Sequence, residues 1–401
     1  MVFSANGDEE TQMINGFKSV MVVAGNEKQP CGVRDYARLM KVALADESSR
    51  EVDVLQSCYG VHRINLGKLR AIRKRVIQKT CDIQSVSLVH VQYSDYSWNG
   101  VRVYEDLYEV FTRRCRFPLV VTIHEHPWFR NEHYLDRPKT LADFVFLGMA
   151  GYRVVPKSLP LELMDRHRGI HVHHEWQKTE LSRYGVPASK IRVIPIYIPE
   201  CHAGADQVVG FKKRYGLEEK RIITLVGFVL ERKRYDRVLE LLPDLPPDVV
   251  VCVLGGINGP ASEKYLATLQ DRACQLGVSS RFVVTGYLPD LEMNAGLLSA
   301  DVFVAPYEEV TSSASVARCI GAGAPIVAGK CPTFVELEVD GAGVLVVNPE
   351  DKVEMRGVLL GLLREDANCQ ILRQKNIEYA TKWSLANVAK AIQDWYRECL
   401  A

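Results

Sequence analysis

The sequence lacks the features that mark membrane-spanning, nucleic-acid-binding and secreted chains. No apolar run approaches the ~20 residues that a helix needs to cross a bilayer. The 50 Lys and Arg residues nearly balance the 49 Asp and Glu residues, so the net charge of +1 provides no overall attraction to nucleic acid or lipid. Residues 1–16, MVFSANGDEETQMING, are polar and acidic, which is wrong for a secretory signal, and we expect a loose tail.

Metal and disulfide patterns are also missing, although cysteine itself is not rare. The 11 cysteines are scattered singly between Cys31 and Cys399, with no CxxC pair and no histidine at ligand spacing. We therefore expect neither a zinc site nor a disulfide framework. Most of these thiols lie in apolar segments, as Cys252 does in VVVCVLGG, where a free thiol behaves as a small hydrophobic group. Unpaired cysteines are typical of a reducing cytoplasm.

The chain does contain a regular alternation of short β-branched runs and helical patterns. Its length of 401 residues is too great for one core, so we expect two domains. Continuous apolar runs, rather than strict alternation, are typical of parallel strands buried on both faces. We predict strands at 19–25, 51–56, 87–93, 118–124, 152–156, 169–174, 191–196, 221–228, 248–256, 281–287, 301–307, 324–329 and 343–348. This α/β pattern predicts two Rossmann-like, doubly wound domains facing a cleft.

The boundary between the domains is predicted in PIYIPECHAGADQV, which has two prolines and little periodicity. The first domain then covers residues 1–200 and the second covers 201–384. Residues 385–401 form an amphipathic helix that we expect to join the first domain. Ligands of open parallel sheets bind beyond the carboxyl ends of the strands, so we expect the site in the cleft.

Two segments of the second domain place polar residues where a strand ends and a helix begins. In GFVLERKRYDRVLELL, Gly227 ends a strand and the basic loop 231–234 follows, where cations could clamp a diphosphate. In PYEEVTSSASVARC, serines lie at a helix start, whose free N–H groups favour a phosphate. Taken alone, the first is also compatible with a solvated charged loop and the second with an ordinary serine cap.

The first domain has two corresponding segments. Gly32, in QPCGVRDYARLM, permits a tight turn or the close approach of a ligand. His124 ends a buried strand in VTIHEHPWFRNEHY, where it could orient or exchange a proton, although a structural histidine is an equally ordinary alternative. Trp98 and Trp128 lie in variable loops and are predicted to bind an acceptor. The dinucleotide fingerprint GxGxxG is absent, which disfavours an NAD enzyme.

With these segments in this order, the chain resembles the retaining glycosyltransferases of the GT-B fold, in the family 4-like group 1. The resemblance extends from about residue 20 to the end and is most specific between residues 180 and 350. The matching stretches are CGVRDYARLM, VVTIHEHP, ELSRYGVPASKIRVIPI, GFVLERKRYDRVLELL, FVVTGYLPDLEMNAGLLSADVFVAPY and PTFVELEVDGAGVLVVNPED.

The resemblance implies transfer of a sugar from a nucleotide-diphosphate sugar to a glycan, lipid-linked or small-molecule acceptor, with retention. Arg232 and Lys233 would hold the diphosphate, so neither a metal ion nor another cofactor is needed. His124 would contact the transferred sugar and, with those two cations, would form the catalytic set. The implied donor-binding residues are Gly32, Gly227, Tyr287, Leu288, Glu308, Glu309, Ser312, Ser313, Ala314 and Arg318.

The sequence departs from the family pattern at its two usual glutamates. Counted back from Pro325, these positions hold Val310 and Arg318. Glu308 and Glu309 lie close enough to replace the first glutamate, whereas the Arg318 guanidinium has no acceptor for a ribose hydroxyl. An alternative function therefore stays open, in which the chain is a catalytically silent or sugar-phosphate-handling relative that acts as a binding subunit.

One further segment, residues 62–80 (HRINLGKLRAIRKRVIQKT), combines seven Lys and Arg residues with apolar positions and has no acidic residue. Such a helix can lie on anionic lipid, as some relatives do, and it predicts peripheral contact with the inner face of a membrane. A solvated basic helix and a contact for an acidic glycan are the alternatives.

Overall fold

The computed structural model describes residues 19–25, 32–44, 50–56, 66–83, 86–94, 98, 107–124, 164–364 and 367–401. The chain divides into two compact units. The first unit contains residues 1–195 and 388–401, and the second contains residues 196–387. The C-terminal segment thus returns to the unit in which the chain began.

The described strands of the first unit form one parallel sheet in the order β2-β1-β3-β4-β5-β6. Strands β3 and β4 are buried along their whole length, because helices cover both faces of a parallel sheet. The strands are β1 Ser19–Gly25, β2 Arg50–Gln56, β3 Leu88–Tyr93, β4 Leu119–Ile123, β5 His167–Val172 and β6 Ile191–Val193. The helices are α1 Gly32–Ala43, α2 Leu66–Asp82, α3 Leu107–Arg114 and α4 Glu175–Arg183.

The second unit has a parallel sheet in the order β12-β11-β10-β7-β8-β9, in which the direction of winding reverses between β7 and β10. Its strands are β7 Arg221–Val226, β8 Val249–Leu254, β9 Phe282–Val284, β10 Val302–Ala305, β11 Ile326–Gly329 and β12 Val344–Val347. Its helices are α5 Ala205–Arg214, α6 Tyr235–Leu239, α7 Pro260–Gln275, α8 Asp290–Leu298, α9 Ala314–Ala322, α10 Pro332–Val339, α11 Lys352–Leu362 and α12 Ala367–Lys382. The reversal between β7 and β10 is the usual ligand position in such sheets.

The predicted α/β architecture is confirmed in each unit. Twelve of the predicted strands are present, most of them one to three residues shorter than the apolar runs that indicated them. The predicted strand at 152–156 lies outside the described residues.

The last helix, α13 (Leu385–Leu400), is amphipathic as its spacing predicts. Val388 and Ile392 are 0% exposed and Trp395 is 3% exposed, so this side of the helix belongs to the core of the first unit. Burying three large apolar side chains stabilises the unit by about 1.5–3 kcal/mol each. The helix therefore helps to hold the sheet on which the histidines described below lie.

Candidate functional site

The ends of β7 and β10 in the second unit bring polar groups together around Lys233. Gly227 follows β7 with a φ of +102°, a conformation that favours glycine. A Cβ atom at this position would lie 2.5 Å from Lys233 Nζ and 2.8 Å from Ser315 Oγ. The glycine is therefore required because the lysine ammonium and the serine hydroxyl occupy the space beside it.

Lys233 is a buried cation, only 7% exposed, in a short 3-10 turn at Glu231–Lys233. Its ammonium donates to Val226 O at 2.7 Å and to Ser315 Oγ at 3.4 Å, and it lies 5.7 Å from the centre of the Tyr307 ring. Burial, together with the charge of Arg232, lowers the pKa of Lys233 to about 8. Within the part of the chain that the structure describes, no carboxylate pairs with it.

The serine-rich turn leads into helix α9 beside Lys233. Ser313 caps the helix, because its Oγ accepts from Val316 N at 3.2 Å, and it also contacts Tyr307 OH at 2.9 Å. Ser312 Oγ is enclosed and has no hydrogen-bond partner among the described residues. The first N–H groups of a helix have no partner in the helix itself, so the start at Ala314 adds donors and partial positive charge.

The cations of the predicted basic loop have different surroundings. Arg234 lies in the left-handed region with a φ of +51° and pairs with Asp236 and Glu350. Arg232 is exposed and, within the described part of the chain, has no recorded ion pair. Arg232 and Lys233 are therefore the two cations of the loop that remain available for an anion.

The other predicted donor residues of this unit lie on the same polar edge or near it. Tyr287 is 78% exposed, whereas Leu288 is buried and can offer only its backbone. Glu308 and Glu309 are exposed, and the loop after them is held by Thr333 Oγ1, which donates to Val310 O at 2.8 Å. Arg318 is directed to an acidic neighbour, Asp290, with Nη2 to Oδ1 at 3.0 Å.

In the first unit, the register between neighbouring strands places several polar side chains on one face of the sheet. Gln92 pairs with Thr122, and Thr122 pairs with His171. Because side chains alternate between faces along a strand, the residues two positions away lie on the same face. The set on this face is His90, Gln92, Thr122, His124, His171 and His173, all of them buried.

These side chains form a continuous hydrogen-bond network. Thr122 Oγ1 lies 2.7 Å from both His90 Nε2 and His171 Nδ1. His171 Nε2 donates to Ile194 O at 2.7 Å, and Tyr396 OH of helix α13 lies 2.6 Å from His90 Nδ1. The network joins three strands to the C-terminal helix.

Both ring nitrogens of His124 take part in this network. Its Nε2 is 2.8 Å from Gln92 Oε1, and its Nδ1 is 3.1 Å from His173 Nε2. A neutral His173 can donate through only one nitrogen, either to His124 or to Ile194 O at 3.2 Å, so its tautomer sets that of His124. Burial, followed by the neighbouring histidines, holds the pKa of His124 well below its usual value. The ring is neutral at physiological pH.

Helix α1, which begins at the predicted Gly32, covers His124. The Tyr36 ring meets the rings of His124 and His173 edge-on, with centroids 5.0 and 5.7 Å apart. The glycine turn and the strand-end histidine are thus connected through Tyr36, one turn into the helix.

The acceptor residues predicted from aromatic composition are not both accessible. Trp98 is 0% exposed, packs against Tyr108 and Phe111, and donates through its indole nitrogen to Gln92 O at 3.1 Å. A fully buried indole has no surface for an acceptor, so this prediction is wrong. Trp128 lies outside the described residues.

Sequence reasoning missed several residues that shape these two sites. Ser315 and Tyr307 approach Lys233, Asp290 holds Arg318, and His173 holds His124. The alternating histidines of GIHVHH were a readable signal, since period-two spacing places them on one face. The ion pair between Arg318 and Asp290 joins two different helices, at a sequence separation of 28, and no residue pattern along the chain indicated it.

Two further findings concern the metal-ligating and thiol side chains of the described part of the chain. No group of three or more His, Cys, Asp or Glu side chains is arranged there to hold a metal ion, and its cysteines are free thiols. Nor is any described helix long and apolar enough to cross a membrane.

Comparison with known proteins agrees with this geometry. The family of glycosyl transferases group 1 matches residues 211–383, which lie within the second unit. A GDP-mannose-dependent alpha-(1-6)-phosphatidylinositol monomannoside mannosyltransferase of Mycolicibacterium smegmatis is 31% identical over 150 residues, covering 35% of this chain and 38% of that protein. A D-inositol 3-phosphate glycosyltransferase of Xylanimonas cellulosilytica is 25% identical over 223 residues, covering 54% of this chain and 53% of that protein. The chain thus spans about half or less of these relatives.

Solved structures match over nearly the whole chain. Anabaena HepE in complex with UDP-glucose superimposes with a TM-score of 0.72 at 12% identity, covering 95% of this chain and 99% of that one. Sucrose-phosphate synthase from Thermosynechococcus elongatus gives a TM-score of 0.69 at 14% identity, covering 95% and 98%. The chain therefore has the GT-B fold, and its second unit contains the region that matches the group 1 glycosyl transferases.

Proposed function

We propose that this protein is a glycosyltransferase that takes a sugar from a nucleotide-diphosphate sugar. The second unit would bind the donor, with the diphosphate between the cations at 232–233 and the N–H groups at the start of α9. The match of this unit to group 1 glycosyl transferases supports the proposal. So do the complexes of a structural neighbour, Anabaena HepE, with UDP and with UDP-glucose.

The observation on which the proposal depends is the buried ammonium of Lys233. Burying a charge without an anionic partner is costly, and burial accordingly lowers the pKa of Lys233 to about 8. Ser312 Oγ, enclosed and unpaired among the described residues, lies in the adjacent turn. A diphosphate would neutralise the lysine and accept from the serine hydroxyl at once. The site therefore fits an anion with several oxygen atoms.

The test replaces Lys233 with methionine, which keeps the length of the side chain and removes its charge. We expect binding of UDP and GDP to fall at least 100-fold, which corresponds to about 2.7 kcal/mol, in isothermal titration calorimetry. The melting temperature should stay the same or rise, because the cost of burying an ammonium disappears. Lys220→Met, at an exposed lysine of the same unit, is the matched control. Wild-type affinity in Lys233→Met would refute the placement of the diphosphate.

For the chemical step we propose transfer with retention and without a metal ion. The acceptor oxygen bonds to the anomeric carbon as the bond from that carbon to the phosphate oxygen breaks, and the leaving phosphate takes the acceptor proton. Lys233 and Arg232 would stabilise the developing negative charge. His124 would have to exchange its Gln92 contact for a sugar hydroxyl, since both of its nitrogens are engaged in the network. NMR of the first-formed product, run with excess chelator, reports the anomer and the metal requirement together.

For the acceptor we propose a lipid-linked or glycan hydroxyl, reached from the cytoplasmic face of a membrane. The mycobacterial relative is named for a phosphatidylinositol mannoside, which is a lipid. Helix α2 presents Lys74, Arg75 and Lys79 to solvent. Val76, one of the apolar positions that predicted lipid contact, is instead 0% exposed in the core. Contact with lipid would therefore depend on charge rather than on insertion.

A further inference from the structure

Arg318, in the middle of α9, and Asp290, the first residue of α8, form an ion pair in the second unit. Arg318 Nη2 donates to Asp290 Oδ1 at 3.0 Å. The side chains are 40% and 89% exposed, respectively. An ion pair this exposed contributes little to stability, because solvent screens the two charges. Its main effect is to orient a carboxylate whose second oxygen faces solvent.

The ion pair lies one helical turn from the proposed diphosphate seat, which is the space between Lys233 and the start of α9. Arg318 follows Ser315 by three residues on α9, so the two side chains share one face of the helix, about 5–6 Å apart. Side chains of a helix lean towards its N-terminus, which brings the guanidinium back towards the first turn. Ser315 Oγ in turn contacts Lys233 Nζ. Arg318 thus connects the carboxylate of Asp290 to the helix that carries Ser315.

An apolar surface adjoins Asp290 on its other side. Tyr287 precedes Asp290 by three residues and is 78% exposed, and Ile257 is 52% exposed. Their loops touch, since a Cβ atom on Gly256 would lie 3.1 Å from Tyr287 N. An exposed aromatic ring beside an aliphatic side chain suits the flat face of a base. Along the carboxyl edge of the sheet, Lys233 follows β7, Ile257 follows β8, and Tyr287 and then Asp290 follow β9.

We propose that Asp290, positioned by Arg318, accepts hydrogen bonds from the ribose hydroxyls of the donor nucleotide. An ionised carboxylate is purely an acceptor, which matches a pair of hydroxyl donors, whereas a guanidinium has no acceptor to offer. In a nucleoside diphosphate the ribose lies between the diphosphate and the base, and Asp290 is connected through Arg318 to the helix that begins beside Lys233 while it follows Tyr287 by three residues. An arginine at position 318 therefore does not abolish recognition of the ribose, because Asp290 of α8 supplies the hydrogen-bond acceptor. This inference rests on the proposed function.

The test compares ribose with deoxyribose ligands in the full chain. We expect the wild-type protein to bind UDP and GDP at least 10-fold more tightly than their 2′-deoxy forms. Asp290→Ala should lower affinity for the ribose forms about 10-fold and leave affinity for the deoxy forms and for inorganic pyrophosphate unchanged. Glu292→Ala, on the same helix but paired with Arg214, is the control and should keep the wild-type ratio.

A second pair of variants tests the positioning role of Arg318. Arg318→Gln should reduce the ratio of ribose to deoxyribose affinity, and Arg318→Lys should restore most of it, because lysine can still pair with Asp290. An unchanged ratio in Asp290→Ala, or a change in base preference instead, would overturn the inference while UDP still binds. If the wild-type protein binds neither nucleotide nor pyrophosphate, the proposed function fails and this inference fails with it.

Discussion

Gly227 and Lys233 are coupled because both need the same small volume at the end of β7. The lysine ammonium and the Ser315 hydroxyl lie where a Cβ atom would project from residue 227. A buried cation of this kind is retained only where the backbone leaves room for it and polar atoms surround it. The glycine is therefore part of the site, although it offers no functional group.

Gly227→Ala tests this coupling. We expect the free energy of unfolding to fall by about 1–3 kcal/mol, since alanine is strained at a φ of +102° and its methyl displaces Lys233. Affinity for UDP and GDP should fall with it. Urea unfolding and calorimetric titration provide the two measurements.

Gly210→Ala is the matched control. Its added Cβ meets no atom within 4 Å, and it lies inside helix α5. Alanine there should raise the free energy of unfolding by about 0.5–1 kcal/mol without changing nucleotide affinity. Nucleotide binding by Gly227→Ala that equals that of the control would show that Lys233 is not displaced.

At the scale of elements, helix α2 shows how packing buries one side of a helix whose sequence mixes apolar and basic residues. The segment contains both apolar and basic residues, and its sequence alone is compatible with insertion into lipid or with a solvated surface. In the structure Val76 and Thr80 are buried, and Lys74, Arg75 and Lys79 are exposed. The apolar side is used by the core of the first unit, which leaves a basic surface.

Reversal of that surface charge tests the proposed membrane contact. With Lys74, Arg75 and Lys79 all changed to Glu, we expect partitioning onto vesicles of equal phosphatidylglycerol and phosphatidylcholine to fall roughly 100-fold, at about 1 kcal/mol for each basic residue. The control reverses three exposed lysines of the second unit, Lys213, Lys220 and Lys375. Co-sedimentation that is equal in both variants would remove α2 as the contact.

At the scale of the whole molecule, the buried histidines make stability depend on pH. Burial lowers the pKa of His90 and of His173 to about 3, and burial also holds those of His124 and His171 well below 6.5. In the unfolded chain these groups titrate near pH 6.5. The folded state therefore binds fewer protons, so stability is full above pH 6.5 and is lost as the pH falls below it.

The free energy of unfolding should change steeply with pH, because four histidines take up protons when the first unit unfolds. Each proton taken up on unfolding changes the free energy of unfolding by about 1.4 kcal/mol per pH unit. Differential scanning calorimetry from pH 7.5 to 5 should show a sharp fall in the melting temperature of the first unit below pH 6.5. His202→Gln, at an exposed histidine of the second unit, should keep the same slope. A flat profile would contradict neutral burial of the cluster.

The sequence by itself determined the class of fold and the position of the strand-to-helix turns that we propose as the diphosphate site. Apolar runs and helical periods are local signals, and they located the strands of both sheets, the amphipathic α13 and the helix start at Ser313. Residue types likewise indicated Lys233 and Gly227, because a cation and a flexible backbone are what a diphosphate needs. Residue types and their local spacing were sufficient to predict those features that depend on neighbours along the chain.

Only the tertiary structure decided which side chains are free to act. Trp98 and Val76 are buried, Arg234 is paired with Glu350, His124 is held by Gln92 and His173, and Arg318 is held by Asp290. Burial and pairing depend on register between strands and on contacts between helices far apart in sequence. Those relations arise only when the chain packs, so no pattern of residues along the chain records them.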